Sequence, residues 1–162
     1  MTESSPKSAF AAELGALGYP AFSHLETEVR QAPAEVLLNA LNRSDLDARV
    51  AEGLPWLVLT YVEMDWDWLL RTAVSLGRQN RLGFAVTLAS EVAQNSGDNE
   101  REDKLRPYLE TLERLRLAQE DTFCRESMTQ AERAWVREHR SATAAHWNLL
   151  TDIVAQQLSY SQ

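Results

Sequence analysis

Apolar side chains recur three or four residues apart along most of this chain, which is the spacing of one buried face of an α-helix. The alternation of apolar and polar residues that marks a half-buried strand is rare. Residues 56–61 are aromatic and β-branched enough to suit a strand, but the sequence offers no second strand to pair with them. We therefore predict helix there as well, at the buried centre of the fold.

Glycine and proline divide the first part of the pattern into separate helices. Residues 8–17 are predicted to form the first helix, which Gly18 ends, and residues 33–41 the second. Gly53 and Pro55 are expected to end one short helix and to open the next turn. The first part of the chain is therefore predicted to be short helices separated by tight turns.

The middle of the chain contains the clearest helical pair. Asp65 or Met64 is expected to cap a helix that stops at Gly77, and a second helix over residues 79–94 follows almost at once. So short a connection makes the two helices neighbours in space. Residues 95–99, with the sequence Asn-Ser-Gly-Asp-Asn, form the most evident loop of the chain.

The last third is more highly charged. Its first regular helix is expected to begin near Leu105, because Pro107 suits a first helical turn. Thr129 and Glu132 have the spacing of a capping box, and Ser141 can cap the final helix. That final helix is predicted to place these apolar side chains inward: Trp147, Leu150, Ile153, Val154 and Leu158.

These elements predict an all-α protein, an irregular orthogonal bundle of about seven or eight helices with short connections. Residues 8–162 are expected to form a single helical domain, and residues 1–7 a disordered tail. The loop at 95–99 separates an acidic first half from a charge-balanced second half. Residues 1–99 carry 13 acidic and 7 basic side chains, whereas residues 100–140 carry 10 and 9.

Composition narrows the classes of function. The chain has 162 residues, of which 44% are apolar and 25% charged, as in ordinary soluble domains. Its net charge of −8 repels nucleic-acid phosphate, so direct nucleic-acid binding is not expected. Such acidity is a common way for a small protein to stay soluble, and it would also suit a partner protein of basic character. A single cysteine and the lack of a membrane-spanning apolar run favour a cytoplasmic protein without disulfides.

No catalytic residue, metal site or cofactor is predicted. His139 and His146 lie too far apart for the usual zinc spacing, and Cys124 lacks an identifiable oxyanion hole or ordering residue. The carboxylates of residues 63, 65 and 67 suit a helix start better than a cation site, because a calcium loop needs a glycine and further oxygen ligands.

Two tryptophans near the start of one helix point to binding. Trp66 and Trp68 are two residues apart, so they point about 200° away from each other and cannot share one apolar face. Helical phase places Trp66 inward and leaves Trp68 at the flank. Tryptophan and arginine are enriched among residues that dominate protein interfaces. The predicted partner-binding residues are Trp66, Trp68, Arg78, Gln79 and Arg81.

The polar run Arg78-Gln79-Asn80-Arg81 has a second interpretation. Two guanidinium groups could clamp a carboxylate or a phosphate. Alternatively, the run could satisfy the free carbonyl groups of a tight turn between packed helices.

A resemblance accompanies these patterns. The segments Leu54-Pro55-Trp56-Leu57, Asp65-Trp66-Asp67-Trp68-Leu69 and Gln79-Asn80-Arg81-Leu82-Gly83-Phe84 resemble a block in poorly characterised all-helical bacterial proteins. The block accompanies helix-turn-helix regulators or antitoxin-like proteins. The resemblance covers residues 33–94 and implies no catalytic residues. The first 40 residues lack a convincing recognition helix, which departs from the regulator pattern.

Three functions remain at this level. The leading hypothesis is a non-catalytic protein-binding module, a regulatory or antitoxin-like component that forms a homodimer and binds a partner protein. The second is a small-molecule-binding domain or enzyme with a pocket between helices near Trp56, Tyr61, Gln79 and Arg81. The third is a DNA-associated transcriptional regulator, which a mobility shift at low salt would detect.

Overall fold

The computed structural model describes residues 6–25, 28–29, 31–158 and 160. These residues contain eight α-helices and two strands of two residues each. The helices are α1 (Pro6–Ala16), α2 (Pro33–Leu41), α3 (Ala48–Thr60), α4 (Trp66–Ser75), α5 (Gln79–Asn95), α6 (Asn99–Arg114), α7 (Gln130–His139) and α8 (Ala142–His146), and the strands are β1 (Asp121–Thr122) and β2 (Leu149–Leu150). The predicted all-α bundle of seven or eight helices is confirmed.

Helix α5 lies at the centre of the bundle. Most of its residues are buried, and it packs against α2, α3, α4, α6 and α8. At Gly83 the ring of Trp147 lies against the helix backbone, where a Cβ atom would stand 2.3 Å from a ring carbon. The Trp147 indole donates to the hydroxyl of Thr87 at 3.0 Å. Glycine therefore lets an indole from the C-terminal segment cover the central helix.

One core cluster draws apolar side chains from α1 through to the C-terminal 3₁₀ turn, Ala155–Gln157. A smaller cluster of Met128, Val136 and Leu150 lies under α7, whose other residues are mostly exposed. The apolar contact of α7 with the rest of the described molecule is therefore narrow, and the ion pair of Arg137 with Glu120 adds to it. None of the described helices is long and apolar enough to cross a membrane.

The expected break at Gly53 and Pro55 is wrong, because α3 is continuous through both residues. Asp47 caps the helix by accepting the N–H of Arg49 at 2.9 Å. A Cβ atom at Gly53 would lie 2.9 Å from the ring of Tyr19, so glycine serves close packing here. Pro55 forfeits one backbone hydrogen bond. The burial of surrounding side chains in the core offsets that loss.

The predicted start of α6 is also too late. The helix begins at Asn99, where the side chain of Asp98 accepts the N–H of Arg101 at 3.1 Å. Pro107 lies within the helix and not in its first turn. Leu105 and Leu112 are fully buried, and their packing stabilises the helix on both sides of Pro107.

The predicted C-terminal helix is largely wrong. Helix α8 is one short stretch that ends at His146, and Asn148 adopts a left-handed conformation with φ 57°. Strand β2 then pairs in parallel with β1, Asp121 opposite Leu149. A two-residue strand carries too short a pattern to be recognised in the sequence, so pairing with a distant segment overrides the helical periodicity there.

The capping predictions are confirmed. Asp65 caps α4, Gly77 follows α4 with φ 71°, and Thr129 and Glu132 form a capping box at α7. Most of the predicted tail, residues 1–5, lies outside the described residues. Its last two residues, Pro6 and Lys7, belong to α1.

Candidate functional site

Trp66 and Trp68 stand at the start of α4 in different environments. Trp66 is only 4% exposed, its ring stacks on Tyr108 with centroids 4.3 Å apart, and its indole donates to the carbonyl of Val62 at 2.7 Å. Trp68 is half-buried against the same core cluster. Trp66 is thus a core residue, whereas Trp68 keeps part of its side chain at the surface.

The polar run at the start of α5 holds the irregular segment that follows α6. The amide of Gln79 donates to the carbonyl of Leu115 at 3.2 Å. Asn80 accepts the N–H of Leu117 and donates to the carbonyl of the same residue, both at 2.8 Å. Gln79 and Asn80 are buried, so these bonds replace hydration of the turn and fix its shape.

Arg81 is the centre of a buried ionic network. Its side chain has no exposed surface. The guanidinium donates to both oxygens of Asp121 at 2.8 and 3.0 Å and to Glu126 at 3.1 Å. It also donates to the carbonyl groups of Leu41 and Arg43, each at 2.8 Å. One side chain therefore joins the end of α2, the start of α5 and the segment after β1.

The network shifts the acidities of its members. Burial by itself lowers the pKa of Arg81, but the hydrogen bonds and charge of Asp121 outweigh it, and the pKa is raised. Burial favours the neutral form of Asp121, yet Arg81 holds the pKa of that carboxyl below its usual range. Burial raises the pKa of the Cys124 thiol to about 11, so the thiol stays protonated at neutral pH.

The expected place of Arg81 at the rim of a binding surface is therefore corrected. Its donors are engaged inside the molecule, because the tight turns around it leave carbonyl groups that need partners. Gln79 is likewise buried, at 6% exposure. Arg78 is partly accessible, and its guanidinium contacts Asn42 at 3.0 Å and Asp121 at 3.5 Å. Of this run, Arg78 alone offers side-chain surface to a partner.

A groove of about 800 Å³ lies elsewhere, between three separate parts of the chain. The first turns of α3, the segment after β1 and the segment after β2 form its walls, and α7 contributes Val136. Apolar residues form its floor: Leu46, Ala51, Phe123, Met128, Val136 and Leu150. We call this feature the acidic groove, because its polar walls are mostly carboxylates.

Four carboxylates and one guanidinium line the acidic groove: Asp45, Asp47, Glu52, Asp152 and Arg125. Arg125 pairs with Glu132 at 2.9 Å, so its charge is already compensated. Glu52 and Asp152 are exposed, and neither forms an ion pair with another described residue. The walls of the groove therefore carry an excess of negative charge.

The backbone around these carboxylates is anchored. Asp45 accepts the N–H and the hydroxyl of Ser127 at 3.1 and 2.8 Å, which ties two walls together. The hydroxyl of Tyr160 donates to the carbonyl of Glu52 at 2.7 Å. The groove is therefore held open by contacts inside the chain, as in a preformed binding site.

The sequence-based prediction missed this groove. The acidity of the first half supplied only a general signal for Asp45, Asp47 and Glu52. Asp152 lies about a hundred residues further along the chain. No pattern within a local window could have placed it opposite α3.

A second crevice of about 450 Å³ runs between α3, α5 and the C-terminal segment. Trp56, Val92 and Tyr160 line it together with Arg101. The guanidinium of Arg101 is bound to the side chain of Asp98 at 2.6 Å and to a backbone carbonyl of α3. Of the expected pocket residues, Trp56 lines this crevice, while Tyr61, Gln79 and Arg81 do not.

Exposed leucines surround the turn between α4 and α5. Leu76 is 44% exposed, and Leu115 and Leu117 are each 37% exposed. Gly77 and Leu117 line the same small pocket, and Gln79 holds the carbonyl of Leu115, so the three leucines lie around one turn. We call them the leucine patch.

Within the part of the chain that the structure describes, no three side chains of His, Cys, Asp or Glu are placed to hold a metal ion. Comparison of the chain with protein-family models, with curated proteins and with solved structures gives no match.

Proposed function

We propose that this chain is a non-catalytic protein-binding module, a regulatory or antitoxin-like component that holds a segment of a partner protein in the acidic groove. The observation that carries the proposal is the preformed groove itself, which combines an apolar floor with charged walls. Its volume of about 800 Å³ lies within the range of binding sites in proteins. Concave sites of this kind bind by excluding water from the floor and orienting charges at the rim.

The resemblance of residues 33–94 to proteins that accompany regulators is in keeping with a regulatory role. Trp68 and Arg78 keep accessible surface and remain candidates for a second contact, outside the groove. Trp66, Gln79 and Arg81 are left out of the proposed contact surface, because they are buried.

Photo-crosslinking in the native host tests the proposal. A photoreactive phenylalanine analogue at Gln157, an exposed residue that lines the groove, should capture a defined partner protein. The same analogue at Asn39, exposed on α2 and outside the lining of the groove, serves as the control. A partner captured at Gln157 and not at Asn39 supports the proposal. Identical products at both positions, or none at Gln157, would contradict it.

A second candidate function rests on the crevice beside Trp56. Its aromatic and aliphatic walls, with Arg101 at the edge, would suit a small molecule with an apolar body and a polar end. A thermal-shift screen against metabolites and nucleotides tests this, because a ligand at 100 times its Kd adds about 2.7 kcal/mol of stability. A shift that Trp56→Ala abolishes would favour this function.

A further inference from the structure

We infer that the acidic groove binds a cationic segment of its partner, in which arginine or lysine side chains flank a small apolar side chain. This inference rests on the protein-binding function proposed above and names the chemistry of the occupant. Glu52 and Asp152 line the groove without an ion pair to another described residue, whereas Asp47 lies 3.7 Å from Arg49 and Arg125 pairs with Glu132. Negatively charged walls favour a positively charged segment, because a negatively charged one would be repelled.

Charge carries more of this recognition than apolar contact does. The floor residues Leu46, Phe123 and Met128 are 8%, 3% and 6% exposed, so they offer little apolar surface to a ligand. Ile153 is half-buried and adds one accessible aliphatic side chain. The floor therefore has room for a small anchor, while the carboxylates at the walls decide which segment enters.

Two of the carboxylates, Glu52 and Asp152, are exposed and form no ion pair with another described residue. Glu52 projects from a backbone that Tyr160 anchors, and Asp152 follows Thr151, which is 8% exposed. They stand on different walls, one on α3 and one after β2. Both line the acidic groove, so a cationic segment that enters the groove can pair with either carboxylate. Anchored backbones reduce the entropy lost on binding.

The other two carboxylates act mainly within the fold. Asp47 caps α3 and lies 3.7 Å from Arg49, and Asp45 is bonded to Ser127. They add to the negative potential of the groove but are engaged in holding its walls. Glu52 and Asp152 are therefore the residues to change in a test, because replacing them by amides leaves the wall contacts intact.

Three fluorescein-labelled peptides of twelve residues test the inference by fluorescence anisotropy. All three carry alanine at the same positions, and the remaining positions are arginine, glutamine or glutamate. We expect the arginine peptide to bind most tightly, and its affinity to fall about fivefold or more between 50 and 300 mM NaCl, because salt screens exposed charges.

Two double variants distinguish binding in the acidic groove from attraction of the peptide to the negative net charge of the whole chain. Glu52→Gln with Asp152→Asn should weaken binding of the arginine peptide about fivefold, because two exposed ion pairs to one segment are lost together. Glu35→Gln with Glu110→Gln removes the same charge from exposed positions outside the lining of the groove. This control should change the affinity by less than about twofold.

Several results would overturn the inference. These are equal binding of the glutamine and arginine peptides, equal effects of the two double variants, or no binding of the arginine peptide. Crosslinking at Gln157 keeps the two proposals distinguishable. A captured partner whose crosslinked segment lacks arginine and lysine overturns the cationic occupant alone, whereas the lack of any captured partner overturns the protein-binding function.

Discussion

At the scale of single residues, Arg81 and its carboxylate partners dominate the interior. A guanidinium with no exposed surface meets two acidic side chains and two backbone carbonyls. Burial of such a network costs free energy of desolvation. Removal of one member costs more, because its partners stay buried away from water without a hydrogen bond or ion pair. The segment after β1, which forms one wall of the acidic groove, depends on this side chain for its position.

Arg81→Leu should lower the free energy of unfolding by about 3–5 kcal/mol, because Asp121 and two carbonyl groups would be left without their donor. Urea denaturation followed by circular dichroism measures the loss. Arg71→Leu is the control, since Arg71 is 71% exposed in an ion pair with Asp67 and should cost less than about 1 kcal/mol. A loss below 1 kcal/mol for Arg81→Leu would mean that the network does not stabilise the fold.

The lowered pKa of Asp121 makes stability depend on pH in a defined direction. A folded-state pKa below the ordinary value of 3.8 gives stabilisation that is complete above that value and is lost as the pH falls through the lower pKa. The difference in unfolding free energy between the natural chain and Asp121→Asn should therefore be constant well above pH 3.8 and narrow as the pH falls below that value. Asp67→Asn, at an 84% exposed carboxylate, is the control. A difference for Asp121→Asn that widens in acid would contradict the assignment.

At the scale of elements, tertiary contacts override local signals in two helices. Gly53 and Pro55 would end an isolated helix. Helix α3 continues through them because the adjacent residues Leu54 and Trp56 are buried in the core. Capping signals behave differently. Asp65 and the capping box at Thr129 act within one helical turn, so the sequence alone locates them correctly.

Gly83→Ala tests the packing of α5 against the C-terminal segment. The new methyl group would lie 2.3 to 2.6 Å from three ring carbons of Trp147, so the indole must move. We expect a loss of about 1–3 kcal/mol of unfolding free energy and a change in tryptophan fluorescence. Asn39→Ala, on the exposed side of α2, is the control and should stay within about 0.5 kcal/mol. Unchanged stability in Gly83→Ala would show that the contact is loose.

At the scale of the whole molecule, the bundle leaves two surfaces of different chemistry. The acidic groove is charged and concave, whereas the leucine patch is apolar and exposed. The backbone of the leucine patch is fixed, since Gln79 and Asn80 hold the carbonyls of Leu115 and Leu117. Its exposed leucines could form a self-complementary contact, which would suit the homodimer that the sequence predicts.

Sedimentation velocity tests that homodimer. We expect a dimer for the natural chain and a monomer for Leu115→Glu with Leu117→Glu. Formation of the dimer would bury the new carboxylates in an apolar interface, which costs free energy. Asn39→Glu with Ala134→Glu adds the same charge at exposed positions of α2 and α7 and should leave the dimer intact. A natural chain that stays monomeric at concentrations of about 100 μM would end the homodimer proposal.

The sequence by itself determined the helical class, most helix ends and the acidity of the first half, because capping, glycine stops and net charge are local or additive properties. Only the tertiary structure decided that Arg81 is buried, that β2 pairs with β1, and that Asp152 lines one groove together with the first turns of α3. These features join segments far apart in the chain. Their formation depends on which apolar faces meet in the folded bundle, and no short window of sequence contains that information.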